Sequence, residues 1–432
     1  MRHWGEGSGT EPSYSHSIHS PHSMSSARAV SHLTITSPAQ LESFCEELAR
    51  ADRIGFDTEF VSEDTFRPEL CLIQVATKDR LAVIDPYRVG KLSQFWRVLA
   101  DGDHTTIVHA AREEVNFALL DGDRPPANLF DTQLAAGFCS TEYPSSYGGV
   151  VGKFLDRTPA KGEQRTDWRR RPLSEAQIDY ALEDVRYLLP LHSELERQLK
   201  KTNRTAWFVE ESQNWLRDLR ESRDRPRWRK VSGIGNLGAR NLAIVRELWQ
   251  WRQAEAERRD MPPRRILRDD LIVELAKRKS DHPDKIKAIR GMQAAGGRQV
   301  MEQLAACIHR GLEAPLDEIY QGRRESMPSQ LNLLGQFLSP ALSSICRSAN
   351  VATSLAGTAT DVRDLIAYRL EFGSWGDDPP PLLASGWRAE LVGHLIEDLL
   401  AGGKSIRIDD PLSEHPLAFD PVKRDCFAPP AK

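Results

Sequence analysis

A chain of 432 residues exceeds what one ordinary hydrophobic core organises, so two or three domains are expected. Hydrophobic content of 40% and charged content of 28% are those of a globular protein, and no apolar run reaches the roughly 18 residues of a membrane span. The net charge of −4 excludes a uniformly basic coat, so a polyanion would have to be met by local patches.

Residues 1–30 are rich in Ser, His and Gly with no periodic apolar face, and read as a disordered tail. His3, His16, His19 and His22 belong to that tail and are expected to be solvated rather than to hold a metal. The tail lacks the charged-then-apolar pattern of a signal peptide. Cys45, Cys71, Cys139, Cys307, Cys346 and Cys426 are scattered with no C-x-x-C pair, which fits reduced thiols better than a disulfide frame or a zinc site. Together these features point to a cytoplasmic protein.

Order is expected from His32. Ser37-Pro38-Ala39-Gln40 predicts a capping box with Pro at the first helical position, followed by Leu41, Phe44, Cys45 and Leu48 on one helical face. Residues 53–60, 70–76, 81–84 and 105–109 read as strands, and 129–130 as a short fifth. One long helix is expected over 174–200. Beyond it the β signal fades, and 239–258, 268–279, 284–290, 298–311 and 388–401 read as helices. Between the halves, residues 217–230 carry seven basic against three acidic side chains and read as a linker, serving either phosphate contact or solubility. Trp249 and Trp251 read as core or interface residues rather than base-stacking platforms. The proline-bearing stretch 404–432 is expected to be irregular.

The chemistry begins in Phe56-Asp57-Thr58-Glu59-Phe60, where period two puts both carboxylates on one strand face. Two like charges on a largely buried strand are costly unless a hard cation neutralises them. Spacing alone leaves two accounts open: a metal seat, or a strand with one wetted face. Tyr180 and Asp184 are i and i+4 neighbours at the border of an apolar stripe. They could project into a site or simply face solvent.

These blocks are collinear with others: Leu72-Ile73-Gln74, Phe130-Asp131-Thr132-Gln133, Arg165-Thr166-Asp167-Trp168 with Arg171-Pro172-Leu173, and Tyr180 to Asp184 followed by Val185, Tyr187, Leu188, Leu189 and Pro190. In that order they resemble the ribonuclease D family, of the DEDD exonuclease superfamily in its tyrosine-bearing branch. Leu248-Trp249-Gln250-Trp251-Arg252 and the segments after it resemble the HRDC domain. The block from Ser385 to Leu391 resembles a second such module. The resemblance spans about residues 32–403.

It implies an α/β ribonuclease-H-like exonuclease domain (31–205), a basic linker (206–236), an HRDC domain (237–318) and a second HRDC-like helical domain (325–403). It implies a 3′→5′ exoribonuclease that uses two divalent ions, Mg²⁺ or Mn²⁺, and releases nucleoside 5′-monophosphates from tRNA precursors or other structured RNA. Asp57 would bridge the ions, Glu59 and Asp184 would complete the water-activating site, and Tyr180 would orient the water. The family places an aspartate five residues after His109, and here a glutamate stands there. Helical spacing favours Glu114 over Glu113, because Glu114 borders the stripe of Ala111, Val115 and Ala118. Its longer arm leaves open whether the site turns over or only binds RNA. A DNA-directed exonuclease is the alternative within the enzyme class.

Three neighbours keep two readings each. Asp131 is a helix cap or a ligand. His109 is a structural hydrogen-bonder or a base. Arg165, Trp168, Arg169 and Arg171 grip phosphates and stack a base, or form a solvated basic loop.

Overall fold

The apolar runs between residues 32 and 131 pair into a six-stranded mixed sheet. Its spatial order is β1 (His32–Ile35), β4 (Leu81–Ile84), β3 (Glu69–Ala76), β2 (Arg53–Val61), β5 (Thr105–Val108) and β6 (Leu129–Asp131). The structure, a computed structural model, describes residues 32–160, 166–224, 226–316, 319, 329–372 and 379–422, so the expected tail 1–30 with its histidines lies outside the described residues. Central β2 runs antiparallel to β3 and parallel to β5, yet β5 pairs only with Arg53, Ile54 and Gly55. Asp57 and Glu59 therefore lie beyond the stretch of β2 that β5 covers.

Ile54 and Phe56 face a core built with α1 (Pro38–Leu48), α2 (Pro86–Val89), α3 (Ser93–Asp101) and α4 (Arg112–Asp121). Helix α1 starts as expected: Ser37 accepts the Gln40 N–H, with Pro38 in the first turn. The reciprocal bond differs from a capping box, because the Gln40 side chain accepts the N–H of Thr36 at 2.8 Å. Helices α5 (Thr132–Cys139) and α6 (Tyr147–Leu155) follow β6.

The other sheet face is covered by α7 (Glu175–Arg186) and α8 (Leu188–Lys201). These replace the single long helix expected over 174–200. Pro190 is the physical cause: its ring would clash with the carbonyl of residue 186 in a continuous helix, but it is tolerated in the first turn of a new one. The break at Tyr187 is held by the Tyr147 hydroxyl, which accepts the Tyr187 N–H at 3.0 Å and donates to the Glu183 carbonyl at 3.3 Å. Gly55 lets α8 approach β2, since a Cβ there would lie 3.1 Å from Leu188 Cβ.

Two further expectations are corrected. The basic stretch is not a linker through most of its length: α9 (Thr205–Asp224) runs through it, burying Phe208 and Leu219 and packing Trp215 and Leu216 against the sheet core. Arg225 lies outside the described residues. The supposedly irregular C-terminal stretch contains an antiparallel pair, β7 (Lys404–Ile408) and β8 (Leu417–Pro421), whose Ile406, Leu417 and Phe419 pack on the neighbouring core.

The two helical blocks differ in how they join the sheet domain. The first, around α10 (Ala239–Arg259) and the helices Asp269–Arg278 and Arg298–Glu313, has its own core. Trp249 packs against that core and the Trp251 Nε1–H donates to Gln303. This block meets the loop after β2 through exposed polar pairs: Arg67 with Glu257 at 2.7 Å and Arg265 with Asp64 at 2.9 Å. Such pairs contribute about 0–1 kcal/mol each. The second block, with helices Ser329–Ser348 and Ala359–Arg369 and residues 386–400, shares one continuous core with α5, α6 and α8.

Candidate active site

Asp57 and Glu59 project from β2 on the face turned towards α7 and α8, opposite to Phe56. Glu114 enters from the first turn of α4, beside the part of β2 that outruns β5. Asp184 and Tyr180 descend from α7. The five side chains come from three separate elements, and the structure brings them together.

Contacts among them are direct. The Thr58 hydroxyl donates to Glu114 Oε1 at 3.0 Å. Asp57 and Glu114 share a hydrogen bond. Tyr180 bonds Asp184 one helical turn away. Glu113, the neighbour that helical spacing disfavoured, instead accepts from Asn116 at 3.3 Å, while Glu114 is buried. Among the described residues none of the four carboxylates forms an ion pair with Arg, Lys or His.

Burial and crowding raise all four. Asp57 keeps some exposed surface, yet the protein packed around it desolvates its carboxyl, and the charges of Glu114 and Asp184 push its pKa well up. Glu59 is pushed up to about 9 by burial, then by Asp57 and Asp184. Asp184 rises to about 6 through burial, against the lowering hydrogen bond from Tyr180. Glu114 also rises through burial, opposed by its bond from Thr58. Tyr180 is raised by burial and by Asp184 and Glu59, so its phenol stays a proton donor near neutral pH.

The donor set is hard, anionic and free of neutralising cations, which is the chemistry a divalent ion of the Mg²⁺ type selects. Among the described residues, no three acidic, histidine or cysteine side chains are gathered closely enough to hold an ion as they stand. Asp57 and Glu114 are turned towards each other.

An open cleft of about 670 Å³ runs from Glu59 along Phe60, Val61, Ser62 and Glu63 to Thr166, Asp167, Trp168 and Arg169. The expected nucleic-acid-binding residues divide there. Arg169 stays exposed at the mouth, 3.1 Å from Asp167 and 3.5 Å from Asp64. Trp168 is only 3% exposed, packed with Leu72, Val83, Ala181 and Leu182, so it offers no free face for a base.

Arg171 is corrected outright as a phosphate ligand. Its Nε and Nη2 bind Asp85 at 2.7 and 3.0 Å, and its remaining donors go to the carbonyls of Cys71, Trp168 and Arg170. Its task is to pin the loop 166–172 to β3 and to α2, which Asp85 caps. Arg171→Ala should cost about 2–4 kcal/mol of stability, seen in chemical denaturation, with kcat retained well below the melting temperature. Arg165 lies outside the described residues.

Asp131 is a cap twice over. Its carboxylate accepts the N–H of Gln133 at 2.8 Å and of Leu134 at 3.4 Å on α5, and those of Ala110 and Ala111, both at 3.0 Å, just before α4. Ala110 sits in the left-handed region at φ 61°, a conformation these bonds hold. His109 has both ring nitrogens engaged, by Thr132 Oγ1 at 3.0 Å and the Ser145 carbonyl at 3.1 Å, and burial lowers its pKa. It is no free base. Sequence reasoning missed Thr58, which aims Glu114, and Tyr147, which holds the turn after Asp184. The hydroxyl inside Asp-Thr-Glu was a legible signal for the first; nothing local marked the second.

Comparison with known proteins gives an independent view of the chain. A family model described as 3'-5' exonuclease matches residues 33–200, and the HRDC domain model matches residues 241–308. The chain is 34% identical over 377 residues to ribonuclease D of Jannaschia sp. (strain CCS1), covering 85% of this chain and 95% of that one. It is 33% identical to ribonuclease D of Granulibacter bethesdensis, over 86% of this chain and 93% of that one. Among solved structures, Escherichia coli RNase D, described as an exoribonuclease involved in structured RNA processing, superposes with a TM-score of 0.73 at 26% identity. That match covers 86% of this chain and 99% of the other.

Proposed function

This chain belongs to the ribonuclease D family and is a hydrolytic 3′→5′ exoribonuclease, and from that premise we propose that Asp57, Glu59, Glu114 and Asp184 hold two divalent ions, Mg²⁺ or Mn²⁺, at which nucleoside 5′-monophosphates are released. The observation that carries the reading is the convergence of four uncompensated carboxylates, of which Glu59 lines an open cleft. Bound there, divalent cations would supply a nucleophilic water near neutral pH and offset charge on the leaving 3′ oxygen.

The chain's own residues prepare that chemistry. Asp57 and Glu59, fixed by the pleat of β2, offer oxygens on one face. Thr58 holds Glu114 in reach, so the longer glutamate arm is bonded inside the site and not lost to solvent. The neutral Tyr180 phenol donates its O–H to Asp184, which leaves its oxygen to accept from and orient an attacking water. Tyr180→Phe should lower kcat about 10²-fold with KM for RNA little changed, as measured by steady-state hydrolysis of a labelled oligonucleotide.

Arg169 at the mouth is the described candidate for contacting the RNA backbone. The first helical block, tied to the same rim through Asp64 and Arg67, is proposed to extend that contact, and the second (325–403) to be a further module of HRDC kind. The proposed substrate is the 3′ end of structured RNA, tRNA precursors above all. The test is hydrolysis of 3′-extended tRNA with Mg²⁺ or Mn²⁺, with the products identified. Mononucleotides released stepwise support the reading. Binding without release in either metal would leave an RNA-binding protein, and faster hydrolysis of matched DNA would reassign the substrate.

A further inference from the structure

Gln74 lies at the centre of β3 and is wholly buried, yet neither atom of its side-chain amide, Oε1 nor Nε2, has a hydrogen-bond partner. A buried amide left unpaired is destabilising, so its presence needs an explanation. The sheet register supplies one. Gln74 stands directly opposite Asp57 across the β2–β3 pair, and Glu59 is opposite Leu72. Cross-strand partners share a face with Cβ atoms about 4.5–5.5 Å apart.

The fully buried residues along the rest of that face are apolar, with Tyr180 and Tyr147 packed at the edges of their clusters. On its other flank Gln74 is paired with Val83 of β4. Along the same face lie Leu72, Ala181 and Leu182 on one side, and Ala76, Val185 and Leu188 on the other. By register, Asp57 is the polar side chain directly opposite the amide. In the arrangement described above Asp57 turns to Glu114.

Resting on the metal-site reading above, the geometry points to Gln74 as a positioning residue: its amide N–H is the donor that holds the Asp57 carboxylate once a divalent cation draws it away from Glu114. The orphaned amide is then the resting half of a bond made in the loaded site. Outer partners of this kind typically set metal affinity by 10–100-fold.

The experiment is thermal unfolding of the full chain titrated with Mn²⁺, for the wild type, Gln74→Met, Gln74→Asn and Asp57→Asn. Met keeps the shape of Gln without the amide; Asn keeps an amide one methylene short of reach. The expected result is a melting temperature for Gln74→Met without cation equal to or above wild type, because an unpaired polar group has gone. Its half-saturating Mn²⁺ should rise about 10–100-fold, with Gln74→Asn shifted the same way. Hydrolysis should show lowered kcat at unchanged KM for RNA.

A half-saturation within about twofold of wild type overturns the role of Gln74 while leaving the metal site standing, provided Asp57→Asn removes the Mn²⁺ effect. A melting temperature lowered by several degrees in Gln74→Met without cation also overturns it, since the amide would then be paired within the fold. If the wild type itself is not stabilised by Mn²⁺, the metal reading and this inference fall together.

Discussion

Asp57→Asn is expected to lower kcat at least about 10³-fold, leave RNA affinity nearly unchanged and make the cation-free protein more stable. All three effects have one cause. Asp57 is crowded by the like charges of Glu114 and Asp184, in addition to its own desolvation. Asn preserves shape and a hydrogen bond to Glu114 but removes the charge that would attract a cation. The gain should appear as a melting temperature about 2–8 °C higher without added metal.

The sign of the pH dependence follows from the same shifts. Folding raises Glu59 from 4.5 to about 9 and Asp184 from 3.8 to about 6, so the folded chain binds more protons than the unfolded one between those limits. Their contribution to stability is fully present below the unfolded values and is lost as pH rises through the folded ones. The cation-free wild type should therefore lose stability between about pH 4 and pH 9, less steeply in Asp57→Asn, and saturating Mn²⁺ should flatten the slope. Denaturation midpoints across that range measure it. Full turnover in Asp57→Asn would refute the metal-site assignment.

Trp387→Ala is expected to cost about 3–5 kcal/mol and to abolish exonuclease activity, although Trp387 belongs to the C-terminal helical block and does not touch the candidate site. Its indole is fully buried, packs edge-on to Phe138 of α5 at 4.9 Å and donates to Glu211 of α9 at 2.9 Å. The adjacent Arg388 binds the same carboxylate at 2.6 Å and donates to the carbonyls of Leu355 and Ala356. Removing the ring opens a cavity in the core that also contains Phe130, Leu134 and Leu191, behind β6 and α8. Chemical denaturation should show one early transition that carries the exonuclease domain with it. Loss of the helical block alone, with hydrolysis intact, would mean that the two cores are separable.

That shared core was poorly legible in the chain. Helices such as 239–258 and 298–311 announced themselves through apolar spacing, while Ser329–Ser348 carries Pro340 inside it and Leu333 and Phe337 exposed, which blurs any amphipathic pattern. The basic segment read as a linker for a related reason. Its charges are dense, and the few apolar residues that turn α9 into a packed element, Trp215 and Leu219 among them, acquire meaning only from the surfaces they meet. Arg171 and Trp168 were legible as types but not in their roles, because an arginine satisfied by Asp85 and three carbonyls has the same local sequence as one waiting for phosphate.

What the sequence by itself determined is what neighbouring residues decide: the pleat that places Asp57 and Glu59 on one face, the helical turn joining Tyr180 to Asp184, the cap at Ser37, and the choice of Glu114 over Glu113. These depend on periods of 2 and 3.6 residues, which any reader of the chain can count. Tertiary structure alone decided the rest. It brought β2, α4 and α7 to one point, broke α7 from α8 at Tyr187 under Tyr147, bound the second helical block into the exonuclease core, and set Gln74 opposite Asp57. Each of these depends on pairing and packing between residues far apart in sequence, whose energies come from the surfaces that meet and are written in no single stretch of the chain.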